Sequence, residues 1–274
     1  MLVIKSDGYT EEFDPSKLHS SLIKAGADVD TAKRIVSEIS KDIYSGISTT
    51  EIYRTAFSHL RGHRRAVAAR YSLKRAILDF GPSGFPFEMY LAEIFKTQGY
   101  TTRVDQIIQG GCVDHEVDVV LAKDHKTTYI EAKFHNTLGF KTDLKTALYV
   151  KARLEDIEKN PKNPKPMSGM LVTNTKFTSK AVQYATCAGV GLLGWDYPGT
   201  NNLHDMIDTA KVYPVTALTS LSKQEKTALL SAKVVLCNAL PEQEEALHRA
   251  GIKASRTDAI FKEAAGLCVP GKGI

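Results

Sequence analysis

The chain of 274 residues carries 36 Lys and Arg against 31 Asp and Glu, a net charge of +5, with 43% hydrophobic and 24% charged residues. That is ordinary globular composition, long enough for more than one core, and it excludes a disordered or collagen-like chain. No run approaches about eighteen apolar residues, and Lys5, Ser6 and Asp7 stand where a signal peptide needs an apolar stretch, so a cytoplasmic protein without a membrane partner is expected. Cys112, Cys187, Cys237 and Cys268 are scattered singly, which fits neither a zinc ribbon nor a disulfide framework.

In chain order, residues 1–80 read as a short strand and four helices. Asp14-Pro15 opens the first helix with an N-cap and a proline at its first position, followed by Leu18, Leu22 and Ile23 at helical spacing. The second follows Asp30, with Ala32, Ile35, Val36, Ile39 and Ile43 inward, and stops at Gly46. Ser48-Thr49-Thr50-Glu51 is a capping box for the third, whose inner face is Ile52, Ala56, Phe57 and Leu60. A fourth, basic helix runs from about Arg64 to Leu78. The stretch from Arg61 to Arg75 contains no acidic residue, which suits a triphosphate or nucleic acid and equally a solvated face. Gly81-Pro82-Ser83-Gly84 then breaks the helix and marks a domain boundary.

The middle region alternates: a helix from Pro86 to Gln98, strands, a helix with the core stripe Leu144, Ala147, Val150, Leu154 and Ile157, then a strand at Met170–Thr173. A helix from Ser179 to Cys187 and an apolar run from Val190 to Trp195 follow. From about Leu218 the pattern is helical, with nothing specific to one ligand; packing or an oligomerisation surface is expected, with nucleic-acid contact the lesser reading. The fold class is therefore multidomain α and α/β, with domains at 1–80, 85–200 and a small helical module at 215–274. A second copy of the chain is admitted as a partner.

Residues His115 to His135 carry the chemistry. Two strands flank the polar turn Lys123-Asp124-His125-Lys126. If that turn is symmetric about Asp124-His125, Asp118 lies opposite Glu131 and Glu116 opposite Lys133. Strand alternation then puts Glu116, Asp118, Glu131 and Lys133 on one face, and Val117, Val119, Leu121, Ile130, Ala132 and Phe134 on a core face. Two facing carboxylates repel and call for a hard divalent cation, Mg²⁺ or Mn²⁺, which keeps waters and accepts phosphate oxygens. Such an ion activates water for phosphodiester hydrolysis, and Lys133 on the same face suits stabilisation of the pentavalent state. The same alternation also fits the wet face of an edge strand.

Asp118 with Glu131-Ala132-Lys133 resembles the D…E-x-K signature of the PD-(D/E)-x-K nucleases, in their Mrr-like restriction endonuclease branch. The helix from Phe87 to Phe95, ending at Gly99-Tyr100, is similar to that family's opening helix. Leu171-Val172-Thr173-Asn174, Phe177-Thr178 and Ala181 resemble its later strand and helix, so the likeness spans about residues 85–200. It implies DNA as substrate, Asp118 and Glu131 as metal ligands, Lys133 as catalytic, and Glu88 on the opening helix joining the site, with Glu93 as competitor. The family's proline before the first aspartate is Val117 here. His115 is an additional candidate ligand or base, and Lys145 and Tyr149 on the following helix are expected in solvent.

Val3-Ile4-Lys5-Ser6-Asp7-Gly8, Glu11, Phe13, Lys17-Leu18, the third helix and Ala69-Arg70-Tyr71 resemble the ATP-cone, the regulatory domain at the front of ribonucleotide reductases. The resemblance implies ATP or dATP as effector, with Val3, Lys5, Glu11, Lys17, Leu18, Thr49 and Arg70 around it, Lys5 and Lys17 on phosphates and Glu11 near the nucleoside. Ser6 replaces the basic residue usual after the first lysine. No G-x-x-x-x-G-K motif occurs, so the nucleotide is expected to be sensed, not hydrolysed by a P-loop.

Overall fold

The structure, a computed structural model, describes residues 1–6 and 8–268. Asp7 of the N-terminal motif and residues 269–274 of the expected C-terminal module lie outside the described residues. The chain forms two compact units, one of Met1–Asp79 with the segment from Tyr213 onward, the other of Phe80–Val212.

The first unit opens with β1 (Leu2–Ile4) and β2 (Thr10–Glu12), then α1 (Pro15–Lys24), α2 (Val29–Asp42), β3 (Ile47–Ser48) and α3 (Thr49–His63). Beside β1, β2 is antiparallel and β3 parallel, giving a small sheet where a single strand was expected. Strands of two or three residues are too short to display a period. Asp14 caps α1 through the Ser16 amide at 2.9 Å. The cap of α2 is Asp28, which accepts from the Thr31 amide at 2.7 Å, two residues ahead of the expected Asp30. Ser48 caps α3, but Glu51 takes the Tyr44 hydroxyl at 3.2 Å, so only half of the expected capping box forms. The basic helix is broken into α4 (Arg65–Tyr71) and α5 (Leu73–Leu78). At the break, the Ser72 hydroxyl donates to the Ala69 carbonyl at 3.0 Å, a local bond that competes with the helical ladder.

The second unit runs through α6 (Phe85–Thr97), β4 (Thr101–Gln109), β5 (Asp114–Lys123), β6 (Lys126–Lys133), β7 (Lys141–Thr142), α7 (Leu144–Lys159), β8 (Met167–Thr173), β9 (Lys176–Phe177), α8 (Ser179–Ala188), β10 (Gly191–Leu193) and α9 (Leu203–Ala210). Its mixed sheet has the order β10-β8-β6-β5-β4, with an antiparallel meander at one side and parallel β6, β8 and β10 at the other. A Cβ at Gly169 of β8 would collide with Leu154 of α7, so glycine is required where that helix lies against the sheet.

The first unit resumes with a 3₁₀ turn (Val215–Ala217), α10 (Lys223–Ser231), a second 3₁₀ segment (Cys237–Glu242), α11 (Glu244–Arg249) and α12 (Ala254–Cys268). Glu263 of α12 accepts the Thr219 and Ser220 amides at 2.7 and 2.9 Å. Arg70 of α4 donates to the carbonyls of Gly266 and Leu267 at 3.1 and 3.3 Å, where a helix end leaves acceptors without partners. Among the described residues no helix is long and apolar enough to cross a membrane.

Candidate active site

The hairpin turn places Asp124 and His125 at φ of 50° and 61°, the left-handed pair a two-residue hairpin loop needs. Lys123 faces Lys126 and the register continues to Val119 against Ile130, the symmetric pairing read from the sequence. There the pairing stops. On the other side, Val104 pairs with Val119 and Gln106 with Val117, so Asp118 and Asp105 are skipped, and Asp105 has φ of 53°. Asp118 thus sits at an interruption of both ladders, and its Oδ2 accepts the Ala132 amide of β6 at 2.6 Å. Irregularities of this kind re-aim a side chain and recur beside active sites.

The simple alternation expected for β5 does not hold across this point. Val117 packs with Val120, Tyr129 and Ile157 instead of siding only with Val119 and Leu121. Nor is the reverse face wet along its length, because Val120 and Tyr129 are buried together with Ile157 of α7. A sheet that carries helices on both sides hides both faces of its inner strands.

Around the interruption the charge is lopsided. Burial, and then Asp118, Asp105, Glu116 and Glu131, push the half-buried Glu88 carboxyl of α6 up to about 7. Asp118 is pushed up to about 6, again by burial first, with the Ala132 amide opposing and Glu131 adding to it. Among the described residues neither has a cationic partner within 4.0 Å. Glu131 does: Arg153 of α7 donates from Nη1 to its Oε2 at 2.5 Å, with side chains 11% and 17% exposed. The other guanidinium arm donates to the Tyr149 hydroxyl at 2.7 Å. Arg153 was missed by sequence reasoning; its one signal was its position a helical turn beyond Tyr149 on the helix that follows the hairpin.

Lys133 is exposed, two residues beyond Glu131, and its charge is felt at His135. Glu116 is exposed. Glu93 pairs with Lys96 at 2.5 Å, whereas Glu88 is the α6 carboxylate that feels the strand acids. No group of three His, Cys, Asp or Glu among the described residues closes around one point. Tyr149 is 55% exposed and Lys145 is also exposed, as expected.

His115 belongs to a different cluster. Its Nε2 lies 2.9 Å from Oδ2 of the buried Asp156 of α7, whose carboxylate also accepts the amides of Cys112 and Val113 at 3.0 and 3.3 Å. Bonds from Cys112 and His115 hold the Asp156 carboxyl well below the usual carboxylate range. A Cβ at Gly110 would intrude on the same carboxylate. Asp156 therefore anchors the β4–β5 turn to α7. Replacing it by Ala removes the shared acceptor of two amides and the His115 ring, and a lower urea midpoint at pH 7 is expected. The folded value is depressed, so this contribution is present above the unfolded value and fades as pH falls through the folded one.

In the first unit, Lys5 and Lys17 converge on Glu11 at 2.9 and 3.5 Å, and the Lys5 hydrogen bond lowers the Glu11 carboxyl. Val3 pairs across β1–β2 with Glu11 and is 2% exposed; Leu18 is 7% exposed, so both act from within the core. Thr49 is the first residue of α3 and half-buried. Arg70 is not with this group: it is turned to the end of α12.

Three family models match the chain: an ATP cone domain over residues 1–79, a restriction endonuclease domain over 82–196, and the model described as AF1548-like, C-terminal, over 213–268. An uncharacterized protein of Archaeoglobus fulgidus is 34% identical over 175 residues, covering 64% of this chain and 97% of its own. The crystal structure of a protein of unknown function, AF1548, superposes with a TM-score of 0.57 at 32% identity, covering 68% of this chain and 98% of that one. MspJI restriction endonuclease, in complex with a 27-mer oligonucleotide, aligns over 51% of this chain and 31% of its own at 16% identity with a TM-score of 0.35.

Proposed function

The chain belongs to the AF1548-like family and joins an ATP-cone domain to a restriction endonuclease domain, and from that premise we propose that it is a cytoplasmic, divalent-metal-dependent DNA endonuclease biased by ATP or dATP. The observation that carries the reading is the pair of desolvated carboxylates, Glu88 and Asp118, without a close cation beside Glu131 and an exposed lysine. Desolvated acids crowded by other acids are costly unless a cation joins them. The donors are all oxygen, the kind a hard ion takes: Asp118 has Oδ1 left over from the Ala132 amide and Glu131 has Oε1 left over from Arg153, while Glu88 stands near enough to feel both acids but does not close with them around one point. Bound there, Mg²⁺ or Mn²⁺ supplies an acidified water and neutralises phosphate charge.

The chain's own residues do the rest. Ala132 fixes Asp118 through its amide, and Arg153 fixes the rotamer of Glu131. Lys133 offers an unencumbered ammonium for the scissile phosphate. The test is cleavage of plasmid and branched DNA by the full chain with Mg²⁺ or Mn²⁺, with and without ATP or dATP; intact DNA under every condition sinks the enzyme reading. In the N-terminal domain, Lys5 and Lys17 hold the phosphates and Glu11 lies near the nucleoside. Calorimetry should show adenine-nucleotide binding, weakened about tenfold in Lys5→Ala or Lys17→Ala, a loss of about 1.4 kcal/mol.

One observation favours a second reading. Arg153 already pairs with Glu131, so part of the negative charge that would hold a metal is offset by the chain itself. On that reading the protein binds DNA in response to nucleotide and does not cut it; DNA retardation without cleavage distinguishes it.

A further inference from the structure

The four cysteines stand apart in the sequence, and the function above uses none of them. The fold brings two of them together inside the first unit. Cys237, the first residue of the second 3₁₀ segment, is fully buried, and its Sγ lies 3.0 Å from that of the half-buried Cys268 at the end of α12. Cys112 and Cys187 are exposed and belong to the second unit. The Cys112 thiol is engaged by Asp156 instead, which raises it.

Both thiols hang from backbone that other contacts fix. The Cys237 amide donates to the Tyr213 carbonyl at 2.9 Å, next to the bridge between Pro214 and Leu236. Arg70 holds the last turn of α12 through the Gly266 and Leu267 carbonyls, and the Leu267 side chain is fully buried. The sulfurs of a disulfide stand at about 2.05 Å, roughly 1 Å nearer than here, a step within reach of side-chain rotation. The two groups also differ in character. The hydrogen bond from Cys237 lowers the Cys268 thiol, and the Tyr213 amide and the Arg70 charge act in the same direction against burial. That bond and burial raise Cys237. The thiolate is the attacking form, so Cys268, with access to solvent, enters first and the enclosed Cys237 resolves.

We propose that Cys237 and Cys268 are a reversible oxidation site, converted to a disulfide by a low-molecular-weight disulfide of the glutathione class, which fastens the end of α12 to the second 3₁₀ segment. The Cys268 thiolate attacks one sulfur of the small disulfide, and the other sulfur leaves as a thiolate. Cys237 gives up its proton to that thiolate and attacks Sγ of Cys268 in the mixed disulfide, releasing the second small thiolate, which takes its proton from solvent. Two protein thiols thus lose two electrons and two protons, and one small disulfide becomes two small thiols. The link spans a separation of 31 residues and pins the helix end whose carbonyls Arg70 grips, so oxidation tightens the cover that α12 gives α4.

The experiment exposes the reduced full chain to glutathione disulfide, blocks the remaining thiols in denaturant, and maps the modified and cross-linked peptides by mass spectrometry. The expected result is a link between the Cys237 and Cys268 peptides, formed in the folded protein, excluding Cys112 and Cys187, and reversed by dithiothreitol. The linked form should melt about 5 °C or more above the reduced form, because a closed loop removes entropy from the unfolded chain. Cys237→Ser should stop at a glutathione adduct on Cys268, whereas Cys268→Ser should leave Cys237 unmodified until the chain unfolds. The comparison of oxidised and reduced parent needs no variant, so a serine chain that fails to fold does not decide the matter. Adducts on single cysteines without the link, a link that forms only in urea, or equal melting temperatures of the two forms overturn the proposal. Neither readout involves DNA or nucleotide, so the outcome is independent of the nuclease reading.

Discussion

Asp118→Asn and Lys133→Ala should each lower the DNA cleavage rate by about 10²–10⁴-fold while leaving the far-ultraviolet circular dichroism and DNA retention intact. The two substitutions reach that loss by different routes. Asp118→Asn keeps an oxygen for the Ala132 amide at 2.6 Å, so the strand interruption survives, but it removes the charge that holds a divalent ion. Lys133 is exposed at the end of β6, and its truncation leaves no buried group stranded. A variant retaining more than a tenth of the parental rate would show that its residue is not in the catalytic machinery. Glu131→Gln should behave like Asp118→Asn in cleavage, but it also strands Arg153, whose Nε is already buried without a hydrogen-bond partner among the described residues, so a lower melting temperature is expected for that variant alone.

The second large effect is on stability, with the unusual sign that removing a charge helps. Glu88 is pushed up to about 7 and Asp118 to about 6, both above ordinary carboxylate values. Between the unfolded value and the folded one, the folded protein binds more protons than the unfolded chain, so stability falls as pH rises through that window. For Glu88 the window runs from about 4.5 to about 7. Glu88→Gln should therefore unfold at higher urea at pH 8, by about 1–2 kcal/mol after allowance for solvent screening, and show little gain near pH 4.5. Millimolar Mn²⁺ should raise the melting temperature of the parent at pH 8 and do so much less for Asp118→Asn. Equal urea midpoints for parent and Glu88→Gln at pH 8 would mean that the cluster is better solvated than its burial implies. Stability given up at a set of crowded acids is the pattern expected where function, not folding, has selected the residues.

The hairpin register was legible in the sequence as far as Val119 against Ile130, short of the expected Asp118–Glu131 and Glu116–Lys133 pairs, because it rests on two residues. Asp124 and His125 both tolerate the left-handed conformation, so a two-residue turn between alternating segments fixed which residues of β5 and β6 face each other. What could not be read was the interruption at Asp118, since it depends on Asp105 of β4 and on how two ladders fail together. Arg153 was hidden for a similar reason: nothing in the helical stripe of α7 tells which polar residue meets a carboxylate on another element. In the first unit the capping residues announced their helices to within two positions, whereas β1 to β3 are too brief for periodicity. The break at Ser72 is one side-chain hydrogen bond, invisible to composition.

The Arg70 clip carries a practical consequence for anyone dividing this protein into pieces. A body assembled from both ends of the chain around an inserted middle is discontinuous in sequence, so cutting near residue 80 frees a fragment whose α4 has lost its cover and whose Arg70 has lost its acceptors. Excision of the middle, with the two ends rejoined by a short bridge, is the deletion that respects the architecture.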